Sequence, residues 1–540
     1  MGLGRMGRNG HRVTVTTFAA LCQQTKACHS GSGNGGLRAL SAVATRSHTE
    51  VVALSRRRFL SAALAGAALT ACARHDAAPA AVRPEAGLAE AIARTEAARP
   101  HTGRTVTAHL RAGSSDLDLG GPVVRSLAYD GRVAGPLVRA NVGDELAIGV
   151  TNGLDHPTSV HWHGIALRND MDGAAPATPE IAPGEEFTYR FTSPVPGSYW
   201  AHPHAGLDTD YGLYLPVIID DPADPGDYDA EWIVVLDDWT AGVGPDPHDI
   251  LDGLRSRRMS MHGMPGMGGA GNSLLGGDGG DVSYPYYLVN GRIPSAPTAF
   301  TTQPGQRVRI RIINAAADTA FRVALAGHRM TVTHTDGYPV DPVDVDAVLL
   351  GMGERYDVLV TAADGVFPLL AFAEGKNGAA RALLRTGAGS DPGPDFRPAE
   401  LAGQVATAAA LSAASPVRLA PRAPDAELQA VLSGGMMGYD WRINGRPFTD
   451  AVPLTVGENQ RAVLRFVNRS MMWHPMHLHG HTFEVLRSDG APGPRKDTVI
   501  VAPMQAVAVA FDADNPGVWM LHCHNGYHMD AGMMTTLEYV

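Results

Sequence analysis

Three stretches of the chain repeat one local design. In 140–152 (ANVGDELAIGVTN), 303–314 (QPGQRVRIRIIN) and 455–468 (TVGENQRAVLRFVN) a short extended segment meets a Gly turn, continues as an alternating strand and stops at an Asn. Each copy follows a turn signal: Gly135-Pro136, Asn290-Gly291 or Asn444-Gly445. Copies roughly 150 residues apart restrict the chain to three similar β-sandwich domains. The alternation in Val308-Arg309-Ile310-Arg311-Ile312 predicts a half-buried strand. Further short strands are predicted over 146–150, 187–191, 215–219, 232–236, 355–360, 462–467, 482–486 and 505–511. The 62 Gly and 38 Pro in 540 residues argue against long helices and for many short strands joined by turns, and with the repeat they give an all-β fold class. The boundaries that follow are 101–224, 225–385 and 421–540. A pattern-free Ala/Gly/Pro stretch, 386–420, is expected to be a linker. Residues 72–100 read as a tether with a short helix near 88–98.

Charge divides the chain sharply. Residues 1–71 hold nine Lys/Arg and one acid, Glu50, whereas 72–540 hold 35 Lys/Arg against 54 Asp/Glu, a net charge of −19. A body that acidic is a poor nucleic-acid binder, so no nucleic-acid partner is expected, and it suits cationic partners. Ser55-Arg56-Arg57-Arg58-Phe59-Leu60 and the apolar run to Ala71 have the layout of a twin-arginine signal peptide over 55–71. The run is too short to span a bilayer. Leu69-Thr70-Ala71-Cys72 is similar to a lipoprotein cleavage box, with Cys72 as the acylated residue. The expectation is export to the cell envelope by the twin-arginine machinery. There the protein would be lipid-anchored on the outer face of the cytoplasmic membrane, or periplasmic. Residues 1–54 precede the signal and read as a doubtful extension, with translation starting at Val51 or Val52.

Of the four cysteines, Cys22 and Cys28 fall in that extension and Cys72 is the lipidation site. The body keeps Cys523 alone, so no disulfide is expected. A lone thiol in an exported chain requires a chemical reason, and its neighbours supply one. Ten of the 22 histidines fall in four clusters: His161-Trp162-His163, His202-Pro203-His204, His474-Pro475-Met476-His477-Leu478-His479, and His522-Cys523-His524 with His528 following. In a strand, residues two apart share a face. His522 and His524 therefore face one metal site while Cys523 faces another. Cys523, His528 and one more imidazole, with a thioether beyond, make the His₂Cys ligand set of blue copper. His474 is the spare imidazole, Met533 the axial candidate and Met534 its alternative. Eight imidazoles remain, suited to three ions.

On these motifs the chain resembles the three-domain multicopper oxidases, the family of laccases, ascorbate oxidase and bacterial cuprous oxidases. All four signatures stand in family order, and the resemblance covers nearly all of 101–540. It implies three consecutive cupredoxin-like Greek-key β-sandwiches and four copper ions as cofactors. Matched motif by motif, type 1 copper takes His474, Cys523, His528 and axial Met533, in the third domain. Type 2 copper takes His161 and His477, and the type 3 pair takes His163, His202, His204, His479, His522 and His524. No ligand is missing. The resemblance further implies that four one-electron oxidations are coupled to reduction of O2 to two waters. Electrons would pass from Cys523 to His522 and His524. Asp172 would be a proton relay. At the position after His528, where some bacterial relatives carry Glu, this chain has Met529, and the nearest acid is Asp530.

A Gly-rich insertion in the second domain carries Met259, Met261, Met264 and Met267, a soft donor set and a candidate Cu(I) site. Met352, Met436, Met437, Met471 and Met472 would extend it if they border the type 1 site. The leading expectation is a cuprous oxidase serving copper tolerance, with O2 and Cu(I) as partners. The alternative is a laccase-like oxidase of phenols and aromatic amines, which needs an open pocket beside His474 and His528. A copper-sequestering envelope protein is a third reading, disfavoured by the complete ligand set.

Overall fold

A computed structural model describes residues 86–224, 226–256, 274–435, 437–489 and 491–540. The twin-arginine segment, Cys22, Cys28, Cys72, Met259, Met261, Met264, Met267 and Met436 lie outside the described residues. Among those described, no helix is long and apolar enough to cross a membrane.

The strands form three successive pairs of sheets. Residues 105–220 make two four-stranded sheets, 230–406 two six-stranded sheets, and 426–539 a six- and a five-stranded sheet. The repeat is the place where the chain changes sheet. Its first strand (Val138–Asn141, Thr298–Thr301 or Leu454–Val456) pairs in parallel with Leu215–Asp220, Ala379–Arg385 or Met534–Tyr539. Past the turn, Glu145–Asn152, Arg307–Asn314 and Arg461–Asn468 enter the other sheet, each parallel to its domain's first strand.

The turn needs one left-handed residue, supplied by Gly143 (φ 82°), Gly305 (φ 82°) and Asn459 (φ 64°). In the third copy Asn459, not Gly457, takes that conformation. The next side chain closes the turn. Asp144, Gln306 and Gln460 accept from the backbone N–H of Asn141 (2.7 Å), Gln303 (2.9 Å) and Gly457 (2.8 Å). The final Asn is a buried junction. Asn152, Asn314 and Asn468 accept from Leu154, Ala316 and Ser470 N–H, and donate to the Ile181, Leu350 and Val501 carbonyls. One side chain thus satisfies the backbone groups left where the strand exits.

Four expectations change. The left-handed hairpin pair matching Asn290-Gly291 and Asn444-Gly445 is Asp130-Gly131, not Gly135-Pro136. The strand Arg307–Asn314 is buried on both faces rather than half-buried. Arg309 and Arg311 both bind Asp357, at 2.6 and 3.0 Å, and Ser198 of the first domain donates to the same carboxylate at 2.7 Å. Partnered charges at a domain interface can be fully enclosed. Residues 86–100 are no tether: the helix Ala86–Ala97 buries Ala91 and Ile92, and Glu96 accepts from Thr192 N–H at 3.0 Å. The 386–420 stretch is a packed strap rather than a loose linker. Val405–Ala406 adds a strand beside Ala347–Leu350, Leu411 and Ala413 are buried, and Ala413 N–H donates to Gly493 O. Small side chains let this stretch lie close on its neighbours, which erases periodicity without loosening the chain.

Candidate metal centre

Strand register sorts the ligands. His474–Leu478 runs antiparallel to Val518–Cys523, with Met476 opposite Cys523 and His477 opposite His522. Alternation puts His474, Met476 and Cys523 on one face and His477 and His522 on the other. Cys523 N–H donates to Met533 O at 3.1 Å, which sets Met533 directly across from Cys523 and fully buried. Met534 stands opposite His522 instead, so Met533 is the thioether on the thiolate's face. The helix Gly526–Asp530 brings His528 back. Its cap, Asn525, accepts from the N–H groups of Tyr527 and His528.

On the thiolate side, Cys523 Sγ lies 3.6 Å from Nδ1 of both His474 and His528, and the two nitrogens are 3.1 Å apart. All three side chains are buried. An ion about 2.0 Å from imidazole nitrogen and about 2.3 Å from thiolate sulfur fits between them. The outer nitrogens are held: His528 Nε2 lies 2.8 Å from Asp281 Oδ2 and His474 Nε2 lies 2.7 Å from Ser470 Oγ. Tyr439 O–H also donates to Asp281, at 2.6 Å, and the Trp441 ring lies 4.2 Å from the His528 ring. Burial alone would depress His528, but the bonds to Asp281 and Cys523 reverse it and push the imidazole up to about 10.

The other eight histidines converge from the first and third sandwiches. His204, His479 and His522 form one group, with Nε2–Nε2 distances to His522 of 3.4 and 3.0 Å. His163 Nδ1 meets His524 Nε2 at 3.2 Å, and the His202 ring lies 5.1 Å from that of His524. His161 and His477 face each other through Nε2 at 3.5 Å. The outer nitrogens of five rings are committed to carbonyl or carboxylate oxygen: His161 to Asp172 O, His477 to Asp497 O, His202 to Pro203 O, His522 to Cys523 O and His479 to Asp172 Oδ2. A committed outer N–H leaves the inner nitrogen a bare lone pair. Lone pairs facing one another at 3.0–3.5 Å repel unless a cation lies between them. The Nε2 of His202 is buried without a partner. Burial and mutual repulsion hold His163, His202, His204, His477, His479, His522 and His524 below the usual range, His204 at about 3. They are therefore neutral and ready to ligate. The donor set fits soft, imidazole-seeking ions such as copper.

Two carboxylates brace this cluster. Asp172 is buried, with Oδ2 2.8 Å from His479 Nδ1 and Oδ1 3.3 Å from His161 Nδ1. Its Oδ1 has no hydrogen bond of its own, because His161 already donates to the Asp172 carbonyl. Asp497 was not singled out from the sequence. Its Oδ1 lies 3.1 Å from His163 Nε2 and 3.5 Å from His477 Nδ1. Burial would push this carboxyl up, but Arg355 and the two imidazoles hold it well below the usual range. Asp530, the acid near Met529, is occupied elsewhere, by Arg255 at 2.8 Å. Asp281, Ser470 and Arg355 were missed as well. The one available signal was the charged run Arg495-Lys496-Asp497 leading into the apolar strand Thr498–Val501.

Met352 is buried in the second domain and Met472 is buried beside His474, while Met437 and Met471 are exposed. Both described ends of the Met-bearing insertion reach His528's surroundings: Arg255 through Asp530, and the return segment through Asp281. A cavity of about 290 Å³ lies elsewhere, over Gly480 and His481, lined by Arg99, Tyr338, Arg495 and Asp514.

Family models described as multicopper oxidase match 115–224, 230–389 and 421–540. The chain is 59% identical to the multicopper oxidase MmcO of Mycobacterium tuberculosis, over 90% of this chain and 97% of that one. It is 28% identical to the copper resistance protein A homolog of Pseudomonas syringae pv. tomato, over 78% and 90% of the two chains. The solved laccase from Botrytis aclada superposes with TM-score 0.67 at 26% identity, covering 82% of this chain and 89% of that one. With its cupredoxin-like sandwiches and its paired copper-type donor sets, the chain belongs to the three-domain bacterial multicopper oxidases.

Proposed function

We propose that this oxidoreductase is a cuprous oxidase of the cell envelope. In this reading the His474–Cys523–His528 site with Met533 holds type 1 copper. His161 and His477 hold type 2, and the remaining six cluster histidines hold the type 3 pair. Copper bound at these four positions supplies one-electron oxidation and the reduction of dioxygen. Overall, four Cu(I) ions become Cu(II) while one O2 and four protons give two waters. Asp172, bonded to His479 through Oδ2 and with its free Oδ1 beside His161, would pass protons.

The observation that carries the substrate assignment is the sealing of the type 1 histidines. His474 and His528 are both fully buried, and the outer edge of His528 is plugged by Asp281, itself at the root of the Met-bearing insertion. A phenol needs an exposed imidazole edge. A small soft cation needs thioethers and a carboxylate wired to the ligand, as Met259, Met261, Met264, Met267 and Asp281 offer. The exposed Met437 and Met471 add thioethers on the third domain. The Ser55–Leu60 twin-arginine motif and Cys72 support export in the folded state and lipid anchoring at the envelope.

Oxygen uptake by the copper-loaded protein tests the reading, with chelated Cu(I) compared against dimethoxyphenol and Cys523→Ser as the autoxidation control. Efficient Cu(I) turnover, lost when the four insertion methionines become serine, is expected. Strong phenol oxidation without preference for Cu(I) would overturn the substrate assignment in favour of a laccase. Copper tolerance unchanged by Cys523→Ser in cells would favour sequestration.

A further inference from the structure

The second sandwich contributes none of the ligand histidines, yet one of its turns forms a wall of the eight-histidine cluster. Gly353 sits in the left-handed region (φ 84°) with its backbone against two rings. A Cβ there would come within 2.8 Å of His163 Cε1 and 3.0 Å of His524 Cδ2. These are the two imidazoles, one from each flanking domain, whose inner nitrogens meet at 3.2 Å. The turn is locked from behind. Gly353 N–H donates to Asn314 O, the Asn that ends the second repeat, and Glu354 accepts from Gly351 N–H and pairs with Lys496 of the third domain at 3.0 Å.

Arg355, the next residue, is fully buried and reaches all three domains. Its two terminal nitrogens donate in parallel to the two oxygens of Asp497, at 2.8 and 2.7 Å. Its Nε donates to Ser198 O of the first domain and Nη1 also to Gly353 O. Asp497 in turn touches His163 Nε2 and His477 Nδ1. The fork also explains Gly164, directly after His161-Trp162-His163. At φ 84° its missing Cβ leaves the space that Arg355 Nη2 and Asp497 Oδ2 occupy. Three chain segments therefore surrender side-chain volume, or spend charge, to bring one guanidinium to one carboxylate.

We propose that the Gly353–Arg355 turn is a positioning element of the cluster. Gly353 seats His163 against His524, and Arg355 orients Asp497 so that His163 presents Nδ1 and His477 presents Nε2 inward. This rests on the reading that these histidines bind copper. A carboxylate behind a ligand histidine typically controls metal affinity by about 10–100-fold.

The test compares Arg355→Met, Arg355→Lys, Gly353→Ala and a strain-matched control, Gly305→Ala, which is left-handed with open space around it. Copper per chain, resistance to a chelator, the blue absorption of the thiolate site and electron paramagnetic resonance of the cluster are measured on each full-length protein. Arg355→Met is expected to keep the blue absorption and lose chelator resistance at the cluster by about 10–100-fold. Arg355→Lys restores charge without the bidentate fork and should fall between. Gly353→Ala should make an otherwise silent copper pair visible by resonance, and Gly305→Ala should not. Wild-type chelator resistance in Arg355→Met and an unchanged signal in Gly353→Ala would overturn the proposal. So would an equal loss of the blue site in both Arg355 variants, which would make the turn general scaffold. A wild-type chain holding copper only at the thiolate site would instead overturn the copper reading of the eight histidines.

Discussion

The three strong donors of the thiolate site all come from the third sandwich, whereas the eight histidines come four from the first and four from the third. The thiolate site is set by the register of two neighbouring strands and one capped helical turn, and its outside support is Asp281. The cluster exists only where two sandwiches meet, and its bracing carboxylates, Asp172 and Asp497, bind rings on both sides of that meeting. Protonation separates them too. His528 is held up at about 10 by a carboxylate, while His204, His479, His522 and His524 in the cluster are held down by burial. One site is local and the other is an interface.

Perturbations should therefore separate the two. The largest effect is expected from Cys523→Ser, which removes the thiolate but leaves all eight imidazoles. Substrate oxidation should fall to the uncatalysed background while copper analysis shows the cluster still loaded. Retained turnover would mean electrons enter the cluster without the thiolate site. Next is Asp172→Asn, which keeps a hydrogen bond to His479 but would end proton transfer if Asp172 has the proposed relay role. Oxygen reduction should slow by roughly 10²-fold, with the blue site accumulating in its reduced, bleached form under turnover. A blue site that stays oxidised would place the slow step before the cluster.

The pH response should differ in kind. Copper must displace the His528 proton, so uptake at the thiolate site should tighten about tenfold per pH unit between roughly 6.5 and 10. Uptake at the cluster should be flat over that range. Stability of the metal-free chain follows the same division. The raised His528 stabilises fully below its unfolded value near 6.5, and that contribution is lost as pH rises through about 10. The depressed cluster histidines cost stability as pH falls below about 6.5. Denaturant melts of apo-protein between pH 4 and 10 check both limbs, and Asp281→Asn should remove the alkaline one alone. The smallest effect is expected from Tyr439→Phe, which removes one hydrogen bond to Asp281. It should weaken the thiolate site by about 1 kcal/mol, read as a small shift in the blue absorption with the cluster signal unchanged.

The sequence carried what is local. The sheet-changing repeat, the histidine spacings and the alternation around Cys523 are short-range patterns, and the structure gives each a physical role. Long-range consequences stayed invisible. Asp497 lies 334 residues from His163, and Asp281 lies 247 from His528. The charged run Arg495-Lys496-Asp497 singles out the first acid, but nothing near either one points to its histidine partner. The buried arginines of Arg307–Asn314 look solvent-facing until Asp357 and Ser198 arrive from elsewhere. Arg355 shows no motif at all, because its role is to meet three domains at once.

The repeat's terminal Asn sets a timetable as well as a shape. Each copy satisfies its backbone junction with partners no more than 36 residues away, so each sandwich can close as its own segment of chain leaves the ribosome. The eight-histidine cluster cannot. His161 must wait for His477, 316 residues later, and His163 for His524, 361 residues later. A finished cluster therefore requires that the first and third sandwiches have both folded and met.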